Sequence, residues 1–339
     1  MFKKSTKWLL IFIFSWQSGC HAYHSKQDKS FAHRKEVKQF IDEMHKKHGL
    51  DKNQLTSHFS GFKTEKKILQ LMSRQYEALP WYQYRKGVVT KVRIKEGVLF
   101  WKENEALLKR AENQFGVPAE MIVAIIGIES AYGKKMGNYP VLQALSTLAF
   151  DYPRRAKFFR GELEEFLLLS NEERLDPTII LGSYAGAMGM GQFMPSSYRR
   201  YAIDFHGVGK KDLIQNHADV IASVANYFKM NGWRTGENIA YQAIVLGKNH
   251  QKIMEPKDLK PNVSLKELAN RYNVKPKKSE ENNKISEKAR FVALQNFGNS
   301  KEYWLLLHNF YVITRYNRST HYAMAVYQLS QEIRIHKRG

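Results

Sequence analysis

The segment that most constrains the fold is Met121–Ile128, in which every residue is apolar or glycine. A helix that is apolar on all sides must lie inside a core, because none of its faces suits water. Gly116 is a stop signal for the preceding helix, and Pro118 occupies a position favoured at the first turn of the next one. We therefore predict a buried helix that starts near Pro118 within a larger helical body.

A single carboxylate, Glu129, follows this apolar run in the predicted last turn. The negative end of the helix dipole and burial among isoleucines both raise the pKa of a carboxyl group. Such a group can donate a proton near neutral pH, so Glu129 is a candidate general acid. The alternative is a glutamate that faces solvent or pairs with Lys134, Lys135 or an arginine.

Two further segments contain candidate binding residues. In the glycine-rich loop of Ser183–Ser197, glycines let the backbone approach a ligand closely, and Gln192 offers both a donor and an acceptor to a sugar. Ile313–Leu329 places Tyr316, Asn317 and Tyr322 within one turn and the start of a helix, where aromatic rings and an amide could hold a carbohydrate. Each segment has a plainer alternative, a tight helix-packing turn for the first and packing tyrosines for the second.

The charge of the chain indicates an anionic partner. Among 339 residues, 54 Lys and Arg oppose 32 Asp and Glu, a formal net charge of +22. Nucleic acid, an anionic membrane and an anionic cell-wall polymer all suit such a surface. The sequence contains none of the common zinc or nucleotide-binding motifs.

The N-terminus resembles a bacterial lipoprotein signal. Three lysines precede the apolar run of Trp8–Trp16, which is too short to span a bilayer and long enough for a signal-peptide core. Cys20, the only cysteine, then follows Ser18 and Gly19. We interpret residues 1–19 as the signal peptide, Cys20 as the lipidated residue and 20–33 as a tether. Because His rather than Asp follows the cysteine, the sorting rule implies the outer membrane and a periplasmic protein of a Gram-negative bacterium.

The remaining chain is mainly helical. Val37, Phe40, Ile41 and Met44 have helical spacing, and further helical patterns continue to about residue 240. Residues 241–312 contain short β-like runs and predict a small β-containing subdomain, and 313–339 predict a final helix that completes the core. The fold class is therefore α+β, mainly α, with 34–240 as the helical body.

The motifs "IIGIESAYGKKMG", "GSYAGAMGMGQFMPSSYRRYAIDF", "SVANYFKMNGW" and "NFYVITRYNRSTHYAMAVYQL" resemble those of the lytic murein transglycosylases of glycoside hydrolase family 103. The resemblance implies a lysozyme-like core with an additional helical domain and a small inserted β subdomain. It implies cleavage of the MurNAc-β-1,4-GlcNAc bond of peptidoglycan, with formation of 1,6-anhydro-MurNAc ends. It further implies glycan strands as the substrate, the outer membrane as the anchoring surface, no nucleic acid, and partners among proteins of wall synthesis or division.

The resemblance also assigns roles to individual residues. Glu129 would be the catalytic residue, acting first as acid and then as base, while the N-acetyl group of the substrate assists. This chemistry needs one carboxylate, whereas ordinary retaining and inverting glycosidases use two. The implied substrate-binding residues are Ser183, Gln192, Tyr84, Tyr227, Tyr316, Asn317 and Tyr322.

One segment departs from the family pattern. Relatives can carry a calcium loop after the sequence that matches "YAIDF". Here Asp204 and Asp219 can supply oxygen ligands, but His206, Val208 and Lys210 fill the alternate positions. Calcium prefers six to eight oxygen ligands, so we predict no calcium site and no other cofactor.

Three other functions are compatible with parts of the sequence. A non-catalytic peptidoglycan-binding scaffold would keep the aromatic residues and lack the acid. A muramidase on the same fold would release reducing ends, and its product would be heavier than the 1,6-anhydro product by one water. A nucleic-acid binder would explain the charge, but the lipoprotein-like signal argues against it.

Overall fold

The computed structural model describes residues 29–73, 79–253, 258–277 and 287–339. The predicted signal peptide, Cys20 and most of the predicted tether lie outside these ranges. Within them, no helix combines the length and the apolar character that crossing a membrane requires.

Short helices form the N-terminal part of the described chain. The bounds are α1 Lys35–His48, α2 Lys52–Ser60, α3 Lys66–Met72 and α4 Trp81–Val88. The apolar residues of α1 that have helical spacing are all buried, as that pattern predicts. Asp51 accepts a hydrogen bond from the Gln54 amide and so caps α2, which orients the chain for the next turn.

A buried ion pair joins this N-terminal part to the helical body. Arg34 donates two hydrogen bonds of 2.8 Å to the carboxylate of Asp151. Both side chains are only 1% exposed. Thr64 donates a third hydrogen bond to the same carboxylate at 2.6 Å. Three distant chain segments therefore meet at one carboxylate.

The helical body surrounds the predicted buried helix. Its helices are α5 Lys91–Glu103, α6 Glu105–Phe115, α7 Ala119–Ser130, α8 Val141–Asp151, α9 Ala156–Glu172, α10 Pro195–Tyr201 and α11 His217–Met230. Met121 to Gly127 of α7 are buried, which confirms the prediction of a helix without a solvent face. A two-residue pairing of β1 Tyr139–Pro140 with β2 Leu181–Gly182 closes the loop region next to α7.

An antiparallel five-stranded sheet follows α11. The bounds are β3 Ala240–Val245, β4 Val263–Ser264, α12 Leu265–Tyr272, β5 Val274–Pro276, β6 Lys288–Gln295 and β7 Lys301–Leu306. The strand order is β4-β6-β7-β3-β5. A separate small core that includes Leu268, Phe291 and Leu305 lies under this sheet. The sheet ends at Leu306, so the last six residues of the predicted 241–312 subdomain are not part of it.

Two helices complete the body, where one had been predicted for 313–339. Helix α13 is His308–Tyr316, and α14 is Thr320–Arg338. Ser319 caps α14 by accepting a hydrogen bond from the Tyr322 amide. Because α14 packs against α5 and α7, it brings the C-terminal motif to the end of the buried helix.

Candidate active site

Glu129 lies in the last turn of α7, and the chain turns sharply after it. Ala131 and Tyr132 both have left-handed backbone conformations, with φ of 50° and 58°. The ring of Tyr132 folds back over Gly127, where an added Cβ would lie 2.4 Å from the tyrosine oxygen. Gly127 is therefore required for this turn, which fixes the position of Glu129 relative to the loops that follow.

Burial raises the pKa of Glu129 to about 7, and a hydrogen bond from the hydroxyl of Tyr322 opposes that rise. No second carboxylate among the described residues contributes to the shift. Lys134, one of the alternative partners of Glu129, pairs with Glu96 at 2.7 Å instead. The site thus contains a half-buried carboxyl group that can exist in either protonation state near neutral pH.

The glycine-rich loop between β2 and α10 lies against this turn. Ser130 donates a hydrogen bond of 2.7 Å to the carbonyl of Met190. Tyr316 donates one of 2.6 Å to the carbonyl of Gly191. The approach also requires Gly137, whose φ is 99° and where a Cβ would lie 2.0 Å from the carbonyl oxygen of Gly182. The Glu129 motif and the C-terminal motif, far apart in sequence, therefore both contact this one short loop.

Ser183 lies at the start of this loop with its hydroxyl proton available. Its oxygen accepts hydrogen bonds from the amides of Ala185 and Ala187, at 3.3 and 3.1 Å. Since those amides occupy the acceptor side of the hydroxyl, its own O–H remains to donate to a ligand. This geometry supports the predicted contact between Ser183 and an acetamido oxygen.

Gln192 is already hydrogen bonded on its donor side. Its amide nitrogen donates to the carbonyls of Met136 and Gly189, at 3.0 and 2.9 Å. Only its carbonyl oxygen remains to accept from a sugar hydroxyl, so half of the predicted donor-and-acceptor role is used within the protein.

The predicted aromatic residues divide into two groups. Tyr227 and Tyr316 pack ring against ring, 4.7 Å between centroids, and each donates its hydroxyl to a backbone carbonyl. Their arrangement matches the packing alternative. Tyr322 instead contacts the carboxylate of Glu129 directly.

Tyr84 and Asn317 lie at the edges of this arrangement. The ring of Tyr84 stacks on that of Trp81, with 6.3 Å between ring centroids. It also packs against the ring of His321, the neighbour of Tyr322, with 5.7 Å between centroids. The side-chain oxygen of Asn317 accepts a hydrogen bond from the Ser319 amide at 3.0 Å, which shapes the turn between α13 and α14.

Ser130 was not among the predicted site residues. It is 1% exposed, and besides bonding to Met190 it accepts a hydrogen bond from the Gly133 amide at 2.9 Å. It therefore connects the turn after Glu129 to the glycine-rich loop. Its position next to Glu129 was the only signal in the sequence, because its partner lies 60 residues away.

The segment predicted to lack calcium brings Asp204, His206 and Asp219 close together. The carboxylate of Asp204 accepts hydrogen bonds from the backbone amides of Gly207, Val208 and Gly209. The carboxylate of Asp219 accepts from those of Phe205, His206 and Asp212. These hydrogen bonds hold the loop together. Val208 and Lys210 add no side-chain oxygen ligand to the cluster.

Tyr322→Phe is expected to shift the pH dependence of turnover. In the wild type, the hydrogen bond from Tyr322 stabilises the charged form of Glu129. Its loss in the variant raises the pKa of Glu129 further above about 7. The decline of activity with rising pH should then move upward by about one pH unit, the effect of one hydrogen bond to a charged group. A pH–rate profile measures it. Tyr132→Phe is the matched control, since its hydroxyl donates to the Arg93 carbonyl and not to Glu129. A downward shift in Tyr322→Phe would contradict the interpretation.

Comparison with known proteins shows similarity over nearly the whole chain. The transglycosylase SLT domain family matches residues 32–331. Membrane-bound lytic murein transglycosylase B of Escherichia coli K12 is 43% identical over 315 residues, 90% of this chain and 84% of the relative. The E. coli lytic transglycosylase Slt35, solved in complex with calcium, has a TM-score of 0.83 at 43% identity and covers 93% of this chain and 97% of its own. SltB3 of Pseudomonas aeruginosa, solved in complex with NAG-anhNAM-pentapeptide, has a TM-score of 0.77 at 29% identity, with coverage of 90% and 80%.

Proposed function

This chain belongs to the transglycosylase SLT domain family and is a lytic murein transglycosylase, and we propose that Glu129 alone serves as its acid and base. Its fold is mainly helical, with a lysozyme-like core and a small β subdomain. The observation that carries the proposal is the pKa of Glu129, which burial raises while no second carboxylate in the described part of the chain acts on it. A single group that is protonated in part of the population near neutral pH can first donate and then accept a proton.

The proposed reaction breaks the bond between C1 of MurNAc and O4 of GlcNAc. Glu129 donates its proton to O4 as GlcNAc leaves, and the acetamido oxygen of MurNAc stabilises the positive charge at C1. The resulting Glu129 carboxylate then takes the proton of the C6 hydroxyl, whose oxygen forms the new bond to C1. No water is consumed, and Glu129 ends in its starting protonation state.

The surrounding residues have distinct proposed roles in these steps. The free hydroxyl proton of Ser183 holds the acetamido group near C1. Tyr322 orients the carboxylate of Glu129 and stabilises its charged form between the two proton transfers. Tyr316 and Gln192 maintain the glycine-rich loop through hydrogen bonds to its carbonyls, and Tyr227 packs against Tyr316. Tyr84 and Asn317 lie near the start of α14, next to His321 and Ser319.

The substrate proposal is supported by relatives. The name of the E. coli relative describes action on murein, and the P. aeruginosa relative was solved with an anhydro-muropeptide. A non-catalytic scaffold would have no need for a half-buried acid at this position.

Product analysis tests the proposed reaction. Purified sacculi digested with the wild-type protein are expected to release muropeptides with 1,6-anhydro ends, identified by mass spectrometry. Products heavier by one water would indicate a hydrolase and would overturn the transglycosylation step. Absence of any release would favour the scaffold.

Calcium independence is also proposed, since backbone amides hold the carboxylates of Asp204 and Asp219. The midpoint of thermal unfolding should stay within about one degree when millimolar calcium or a chelator is added. A calcium-dependent rise of several degrees, absent with magnesium, would contradict this proposal.

An outer-membrane lipoprotein that faces the periplasm is the proposed location, supported by the sequence around Cys20. Cells that express the wild-type protein should incorporate labelled palmitate into it, and Cys20→Ser should abolish that labelling. Labelling of the serine variant would contradict the assignment. Partners among the proteins of wall synthesis or division remain a prediction.

A further inference from the structure

We propose that Ser130 is a positioning residue for the cleavage reaction: its hydroxyl holds the glycine-rich loop so that Gln192 binds the substrate at a fixed distance from Glu129. The inference rests on the proposed function, because the reaction is the one assigned to Glu129. Ser130 is only 1% exposed, so its side chain cannot reach a substrate itself. It acts through Gln192, which lies on the loop that Ser130 holds.

The hydroxyl of Ser130 connects the two sides of the site. It donates to the carbonyl of Met190 at 2.7 Å, and its oxygen accepts from the amide of Gly133 at 2.9 Å. The first bond reaches the glycine-rich loop, and the second holds the turn that follows α7. Because Ser130 directly follows Glu129 in the chain, one side chain fixes the Met190 carbonyl relative to the acid.

Met190 is held at several points, and the hydrogen bond from Ser130 is the one that comes from the acid turn. The Met190 amide donates to the carbonyl of Leu213 at 2.9 Å, which attaches the loop to the segment before α11. The side chain of Met190 packs against Gly133, where a Cβ would lie 3.3 Å from its sulfur. The loop is therefore already in contact with the turn, and the hydroxyl of Ser130 fixes the orientation of the peptide group that leads to Gln192.

Gln192 has a backbone conformation that requires such support. Its φ is 49°, in the left-handed region, which is unfavourable for a residue with a Cβ and persists where the surrounding contacts enforce it. The hydroxyls of Ser130 and Tyr316 donate to the carbonyls of Met190 and Gly191, the two residues just before Gln192. Two consecutive peptide groups are thus held immediately before the strained residue.

The held part of the loop is close to the acid. Tyr316 donates to the carbonyl of Gly191, and burial raises the pKa of Tyr316 while the nearby charge of Glu129 adds to that rise. One tyrosine hydroxyl is therefore near both the loop and the carboxyl group. The side-chain oxygen of Gln192 is left to accept from a sugar hydroxyl, because its nitrogen donates to two backbone carbonyls. A sugar bound there is placed relative to Glu129 by the loop, and small misplacements of reacting groups cost much of the rate.

A purely structural role for Ser130 is the alternative. A buried serine often donates within its own helix, as Ser170 does to the carbonyl of Phe166 at 2.8 Å. Ser130 has an acceptor of this kind in Ile126, at 3.2 Å, but its hydroxyl is closer to Met190, 60 residues away. The shorter distance favours the bond that crosses to the loop. The two roles predict different effects on turnover.

A double-mutant cycle on kcat/KM tests the proposal, with soluble glycan strands that carry stem peptides as the substrate. Ser130→Ala removes the hydroxyl and should lower kcat/KM about fivefold to tenfold, the effect of one hydrogen bond. In the Gln192→Ala background, the same substitution should lower kcat/KM less than about twofold, because the side chain that Ser130 positions is already absent. Alanine at position 192 retains a Cβ, so the backbone is equally restricted in both backgrounds.

The cycle separates positioning from a folding defect. A smaller folded fraction lowers kcat/KM by the same factor in both backgrounds, whereas positioning through Gln192 acts in only one of them. Ser170→Ala is the matched control, since it removes a buried hydroxyl that donates within its own helix, and it should leave kcat/KM unchanged. If Ser130→Ala does not fold, Ser130→Cys takes its place in the cycle, because a thiol fills the site and donates weakly.

Three results would overturn the proposal. The first is an unchanged kcat/KM in the Ser130 variant that folds. The second is an equal loss in the wild-type and Gln192→Ala backgrounds, and the third is failure of both Ser130 variants to fold; either would make Ser130 a structural residue. The role of Glu129 is decided separately, because it fails only if Glu129→Gln retains cleavage, whatever the Ser130 variants show.

Discussion

Glu129→Gln is expected to reduce the release of anhydro-muropeptides from sacculi on the order of a thousandfold, within the range for loss of a general acid. Glutamine has the shape of glutamate and cannot transfer the proton that both proposed steps require. No second carboxylate among the described residues contributes to the pKa of Glu129, so none is placed to take over. Mass spectrometry of the released products measures the loss. Substantial remaining activity would remove Glu129 from its assigned role.

The pH dependence of the thermal stability of Glu129→Gln checks the raised pKa of Glu129 independently of activity. The pKa of Glu129 is raised from 4.5 to about 7 by burial, so the folded state favours the protonated form. The associated stability is fully present below pH 4.5 and is lost as the pH rises through about 7. Glu129→Gln should therefore unfold at a higher temperature than the wild type at pH 8, and at nearly the same temperature at pH 4.

Arg34→Ala is expected to lower the free energy of unfolding by about 3–5 kcal/mol, the usual cost of leaving one partner of a buried pair alone. Asp151 is buried, and after the substitution it would keep Thr64 as a hydrogen-bond donor and lose its charged partner. Urea unfolding followed by circular dichroism measures the change. Asp151 ends α8, so the lost pair is a direct link between the N-terminal helices and the helical body.

Two controls define the origin of that loss. Arg271→Ala breaks an exposed pair on α12, 3.4 Å between charged atoms, and should cost less than about 1 kcal/mol. Arg34→Met combined with Asp151→Asn removes both charges and should be more stable than Arg34→Ala alone. An Arg34→Ala variant as stable as Arg271→Ala would show that the buried pair contributes little.

Local patterns in the sequence predicted the helices well because their causes are local. The spacing of Val37, Phe40, Ile41 and Met44 predicted the buried face of α1, and the continuous apolar run predicted α7 as a buried helix. The β subdomain was predicted to end six residues too late, and α13 was not distinguished from the final helix, although the turn and helix start near Asn317 and Tyr322 were predicted. Short strands depend on the strands they pair with elsewhere in the chain more than on their own residues, so their bounds are hard to predict locally.

The sequence by itself determined the family, the mainly helical fold class and the candidate acid, because long ordered motifs and an apolar run with one carboxylate are visible in one dimension. Only the tertiary structure decided which group each candidate residue hydrogen bonds to. It assigned the hydroxyl of Tyr322 to Glu129 and that of Tyr316 to the glycine-rich loop, and it revealed Ser130 as the link between them. Hydrogen bonds act over about 3 Å, so which of several tyrosines donates to the acid depends on packing between helices far apart in sequence.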